Sequence, residues 1–206
     1  MTDPTRALRR ILVWEPDLEP DERYVPLVDL DLADLARAVC RRLGDAPARV
    51  GWSAVVMGVA SRFWSVSVVP YAADGVLVDP GCLVARHDDG AVTLGVHEPR
   101  GRTDATDDDL DAAVRSVLEP LVDAVPLAPR LLWGNAAASL HAVPRVHHLP
   151  RARPVVDRLL AGPGFAGELD VRPDGTARRR TCCLFYLASN AGLCGDCVFD
   201  VVPARP

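Results

Sequence analysis

Apolar residues recur at steps of three and four along Leu32, Leu35, Ala36, Val39 and Leu43, and Gly44 follows as a stop. This spacing predicts an amphipathic helix with Arg37, Arg41 and Arg42 mostly on its solvent side. From Gly51 to about Val69 the apolar positions surround the whole helical circumference, which predicts a largely buried helix ended by Pro70. The period then changes. Gly75–Asp79, Cys82–His87 and Ala91–His97 are short runs of β type, and Asp89-Gly90 predicts a tight hairpin between the last two because Gly accepts positive φ. Acidic residues from Asp104 to Asp111 favour the N-terminal dipole of another helix. Its apolar face is Leu110, Val114, Val117, Leu118, Leu121 and Val125, and Pro120 is expected to kink or break it. Shorter helices are predicted over Arg130–Ala142 and Pro154–Leu160. The first thirty residues, with Pro16, Pro20 and Pro26, read as irregular.

Gly162, Pro163, Gly164 and Gly167 mark a flexible joint, and Val171-Arg-Pro-Asp-Gly175 is a turn leading through Thr176 into a cysteine-rich segment. Residues 1–160 are therefore expected to form a helix-rich substrate or scaffold domain, and residues 161–206 a compact C-terminal module. The fold class expected is α+β, helix-rich: a helical body with a small β-hairpin region. No internal repeat of about 20–50 residues interrupts this organisation.

Composition narrows the function. A chain of 206 residues that is 49% hydrophobic can bury a core, and with 5% aromatics that core must be built from small aliphatic side chains. A net charge of −5 gives no footprint for nucleic acid. All 23 basic residues are Arg, a bias better explained by GC-rich coding than by mechanism. MTDPTRALRR contains no apolar run followed by a small-residue cleavage site. The apolar stretch Trp52–Ala73 carries Arg62, several serines and Pro70, too polar for a transmembrane span. A soluble cytoplasmic protein is expected, in which Cys40 and Cys82, alone in apolar surroundings, are buried inert thiols.

The other four cysteines lie in RRRTCCLFYLASNAGLCGDC, from Arg178 to Cys197, as an adjacent pair, a gap of ten residues and a C-x-x-C. Three chemistries compete for Cys182, Cys183, Cys194 and Cys197. Disulfides are disfavoured in a reducing compartment, and neighbouring cysteines rarely bridge each other. Structural zinc is usually held by two C-x₂₋₄-C knuckles, and only the second half here is a knuckle. A [2Fe–2S] cluster takes four thiolates around a larger object. Adjacent residues of a regular strand point to opposite faces, so a local twist is needed to bring Cys182 and Cys183 to one cluster. Gly195 would let backbone N–H groups approach the cluster sulfurs.

C-C-x₁₀-C-x₂-C preceded by arginines, with L-C-G-D-C inside it, resembles the FhuF family of ferric-siderophore reductases. The upstream stretch Leu132-Trp133-Gly134-Asn135-Ala136-Ala137-Ala138-Ser139 is similar to the L-W-G-N-x-A-S segment of that family. The resemblance covers the last third of the chain, and it implies that Cys182, Cys183, Cys194 and Cys197 hold a [2Fe–2S] cluster. It further implies one-electron reduction of Fe(III) in a ferric siderophore, with electrons supplied by a separate ferredoxin or reductase. The chain lacks G-x-G-x-x-G after a strand, so it should not bind flavin or nicotinamide by that route. An iron–sulfur electron carrier or iron and redox sensor without siderophore turnover is the alternative, and a zinc-stabilised domain the third reading.

Further candidates stand around this motif. Arg178, Arg179 and Arg180 offer charge to offset a buried anionic cluster, or to attract an anionic substrate or acidic donor protein. The alternative is a solvated basic strand. His147-His148, between Arg145 and Arg151, either binds substrate and relays protons or is a loop contact. Trp133 and Asn135 read as a core anchor and a backbone-bonding side chain, or else as lining of the approach to the cluster.

Overall fold

A computed structural model describes residues 3–189 and 191–204. The chain opens with a short helix, α1 (Pro4–Leu8), because Asp3 accepts the Thr5 N–H at 3.0 Å and Pro4 suits a first helical turn. A two-residue strand, β1 (Val25–Pro26), follows on a sheet edge, where the missing proline N–H costs no ladder bond. The first thirty residues are thus less irregular than their prolines predict, since Ala7, Leu8 and Ile11 anchor them in the core.

Helix α2 (Leu32–Arg42) is capped by Asp31 and stops before Gly44, whose φ is +71°. Helix α3 (Ala48–Asp74) is the axis of the molecule. Val50, Val55, Val56, Val59, Phe63 and Trp64 are each at most 1% exposed. Ser61, Ser65 and Ser67 satisfy their hydroxyls on the carbonyl four residues back, so an apolar environment surrounds α3 without leaving them unpaired. Pro70 does not end this helix. It removes one bond near the C-terminus, and the helix runs on to Gly75, at φ +68°, whose N–H bonds to the Tyr71 carbonyl. By length and composition α3 could cross a membrane, but 72% of its apolar window is buried inside the fold, as befits a core helix.

Strands β2 (Leu77–Val78), β3 (Leu83–Asp88), β4 (Ala91–Val96) and β5 (Gly101–Arg102) come next. β3 and β4 form the predicted hairpin, with Asp88 opposite Ala91 and Asp89 and Gly90 both at positive φ. Leu83, Ala85, Val92 and Leu94 supply its buried face. β2 pairs instead with β5, away from that sheet.

Helix α4 (Asp107–Asp123) begins with a reciprocal Thr106–Asp109 capping box and continues unbroken through Pro120. Pro120 and Ser116, whose carbonyl loses its partner, are both exposed, so water takes up the freed bond. Helix α5 (Pro129–Val146) is longer at both ends than its pattern predicts, and α6 (Arg153–Leu160) follows. A last hairpin joins β6 (Leu169–Val171) to β7 (Ala177–Arg179), and a single 3₁₀ turn, Phe185–Leu187, lies beyond. The result is a helix-rich α+β fold.

Residues after α6 pack on the helical body. Phe165 is 4% exposed and stands edge-on to both Trp133 and Trp64, with centroids 5.1 and 6.0 Å away. Leu187 and Ala188 form a small second cluster with Ala46 and Val50 at the start of α3. The C-terminal segment is therefore seated where the N-terminal parts of α3 and α5 lie side by side.

Candidate cysteine centre

Alternation along β7 separates Arg178 from Arg179, and Arg180 follows the strand. Arg178 and Arg180 face outward and Arg179 faces in, at 4% exposure. Arg178 bonds the Val198 carbonyl at 2.7 Å and Asp200 at 2.9 Å, and Arg180 reaches Asp170 at 3.0 Å through Nε. All three are paired with carboxylates, so the run is not a bare basic stripe.

The strand ends at Arg179, so the cysteine pair escapes the alternation that would separate it. Leu184, at φ +65°, then turns the chain, and its N–H donates to Cys182 Sγ at 3.3 Å. Cys183 is 5% exposed. At the other end of the motif the Cys197 N–H closes onto the Cys194 carbonyl at 3.1 Å, and the Phe199 N–H donates to Cys197 Sγ at 3.4 Å. Cys183 Sγ and Cys194 Sγ are 3.6 Å apart. The contact between the two thiols lowers the pKa of Cys183 and raises that of Cys194, because a proton held between them is shared by the pair. Burial raises that of Cys182. Cys40 and Cys82 lie elsewhere, their sulfurs near the carbonyls of Pro47 and Glu98. Among the described residues no three Cys, His, Asp or Glu side chains stand grouped closely enough to hold a metal ion, and Cys183 and Cys194 are the sulfurs in contact.

Beneath the cysteines lies a polar chain that runs in one direction. Arg179 Nε donates to Asp196 Oδ2 at 2.7 Å, and a terminal guanidinium nitrogen donates to Asn135 Oδ1 at 2.6 Å. Asn135 Nδ2 donates to the Ser53 carbonyl and to Ser53 Oγ, at 3.0 and 2.8 Å. Ser53 Oγ donates to the Cys183 carbonyl at 2.6 Å. Asn135 and Ser53 are fully buried. The Arg179 charge lowers the pKa of Cys182 and Cys183, while that of Asp196 raises those of Cys183 and Cys194.

The L-W-G-N stretch acquires physical content here. Trp133 packs against Phe165 and over Gly164, an anchoring role. Gly134 leaves room for Thr181, the residue before Cys182, because a Cβ at 134 would overlap Thr181 Oγ1. Asn135 enters the chain just described. Ser53 is a residue that sequence reasoning does not reach, and Gly134 and Asp196 lie inside the quoted motifs with no role assigned to them there.

His147 and His148 stand apart. His147 caps α5, contacts Ser65 Oγ at 3.2 Å and meets the Trp14 ring edge-on at 6.0 Å, and burial lowers its pKa. At 1.5 Å per residue it lies about 18 Å along α5 from Asn135. The structure does not bring this pair to the cysteines.

Residues 179–199 match the family model described as the FhuF 2Fe-2S C-terminal domain. No curated protein matches the chain. The matched stretch begins at the buried Arg179 and takes in all four cysteines of the motif. Over this segment the chain is similar to the FhuF-like family with its C-terminal [2Fe-2S] motif.

Proposed function

We propose that the protein is a cytoplasmic ferric-siderophore reductase whose [2Fe–2S] cluster is held by Cys182, Cys183, Cys194 and Cys197. The observation that carries this reading is the contact between the two halves of the motif, Cys183 and Cys194, within a segment matching an iron–sulfur domain. Metal–thiolate bonds of about 2.3 Å in a tetrahedral arrangement put two sulfurs on one ion about 3.8 Å apart. The observed 3.6 Å is close to that edge. Backbone N–H donors already point at Cys182 and Cys197, and such bonds favour the more negative, reduced state of an iron–sulfur centre. Four cysteine thiolates in one segment are the donor set that a [2Fe–2S] cluster takes.

When bound, the cluster supplies single electrons, which suits Fe(III) in hard oxygen chelates that hold Fe(II) far less strongly. The chain's own part is to fix the four sulfurs, surround them with N–H donors and offset their charge with Arg179. Cys182, Cys194 and Cys197 are each only partly buried, which leaves a short path to a docked chelate or donor protein such as a ferredoxin or reductase.

Anaerobic purification should give a coloured protein with two iron and two acid-labile sulfide per chain in the [2Fe–2S] form, and an electron paramagnetic resonance signal after dithionite. Mixing the reduced protein with ferric hydroxamates and catecholates should reoxidise the cluster and release Fe(II). Reoxidation by a redox partner but by no chelate would make the protein a carrier. Zinc without sulfide would discard both readings. Cys183→Ser should lose the normal spectrum.

A further inference from the structure

We propose that Arg179 is the positioning residue of this centre: one buried cation that ties the Cys182-Cys183 pair to the Cys194–Cys197 turn and sets the charge beside the cluster. The inference rests on the [2Fe–2S] reading of the site. Arg179 reaches both ligand-bearing stretches. On one side its backbone N–H bonds the Asp196 carbonyl at 2.8 Å while its Nε holds the Asp196 carboxylate, so the C-x-x-C turn is gripped twice. On the other side Asn135 and Ser53 carry the connection to the Cys183 carbonyl.

Direction in this chain is imposed by the guanidinium, which has no acceptor. It must meet the Asn135 amide at its oxygen, which turns the NH₂ toward Ser53 Oγ, which in turn sends its own proton to Cys183. Reversing any one member would set donor against donor in a buried site. Lysine carries the charge but cannot span Asp196 and Asn135 with a planar fork. Arg178 and Arg180 have the same charge, yet their partners are Asp200, the Val198 carbonyl and Asp170, outside the cysteine turn.

The electrostatic consequence has a sign. Reduction adds negative charge to the cluster, so a neighbouring cation favours it and a neighbouring carboxylate opposes it. Arg179 and Asp196 nearly cancel as a pair, and removing either member leaves the other unopposed. Potentiometric titration of anaerobically purified holoprotein, followed by electron paramagnetic resonance, tests this. Arg179→Gln should shift the reduced-to-oxidised equilibrium at least about tenfold toward the oxidised form, which is 59 mV for a one-electron couple. Asp196→Asn should shift it several-fold in the opposite direction. Arg180→Gln should match the wild type. Arg179→Lys should keep the potential but lose the cluster to an iron chelator faster than the wild type.

A purely structural role would move Arg179→Gln and Asp196→Asn the same way, or neither beyond Arg180→Gln, and either result overturns the inference while the cluster reading stands. A wild-type protein that holds no cluster overturns both. If Arg179→Gln does not accumulate, the sign for Asp196→Asn decides alone: a lower or unchanged potential overturns the inference.

Discussion

Ser53 belongs to a helix with four buried serines, and at the level of single residues it shows what governs the site. Ser61, Ser65 and Ser67 return their protons to their own helix, whereas Ser53 donates to a carbonyl 130 residues away. Nothing in the local sequence separates these cases, because the difference lies in which segment is docked outside. Asn135 and Trp133 were legible through a family likeness, and the four cysteines through their spacing. Gly134 sits in the same likeness, but its reason is steric and appears only when Thr181 is placed against it. Gly134→Ala should displace Thr181 and the adjoining Cys182, at an overpacking cost of about 1–3 kcal/mol. Iron and acid-labile sulfide per chain should fall. Gly192→Ala, where an added methyl meets open space, is the comparison and should keep full iron content. Equal loss in both variants, or in neither, would remove Gly134 from the account of the site.

Secondary-structure elements were legible where a single period dominates: the Asp89-Gly90 hairpin, α2 and the acidic start of α4 all follow their patterns. Misreadings gather at proline, which sequence rules treat as a stop. Pro120 is tolerated because its helix face meets water, and Pro70 because α3 stays buried to its last turns. What does end α3 is Gly75, whose left-handed backbone lets the next N–H, that of Val76, reach back to the Pro70 carbonyl at 3.3 Å. No atom stands within 4 Å of a Cβ built there, so Gly75→Ala isolates the backbone conformation from packing. A non-glycine residue in that region costs about 1–2 kcal/mol. Thermal denaturation should show a midpoint lower by a few degrees for a chain of this size, with the cysteine centre spectrally unchanged. An unchanged midpoint would mean that the helix end relaxes to another conformation.

The whole molecule divides its stability unevenly. The main core is built around α3 from aliphatic residues of the helices and the β3–β4 hairpin, and the four motif cysteines take no part in it. Among the described residues beyond Arg179 only Cys183, Leu187 and Ala188 are buried, while Phe185, Phe199, Val201 and Val202 are exposed. Such a stretch cannot offset its own ordering entropy by apolar burial and depends on the Arg179 chain and on whatever joins its thiols. Tying Cys182 and Cys183 to Cys194 and Cys197 resembles a cross-link closing a loop of about 15 residues, worth about 3 kcal/mol. Removing the cluster with an iron chelator under reducing conditions should therefore act locally. Amides such as those of Leu187, Ala188 and Cys197 should lose roughly a hundredfold in hydrogen-exchange protection, while the amides of α3 and α5 keep theirs and far-UV circular dichroism barely changes. Loss of protection through α3 would instead show that the C-terminal segment and the helical body unfold as one cooperative unit. The buried Arg179–Asn135–Ser53 link would then hold the core helices together as well as the cysteines.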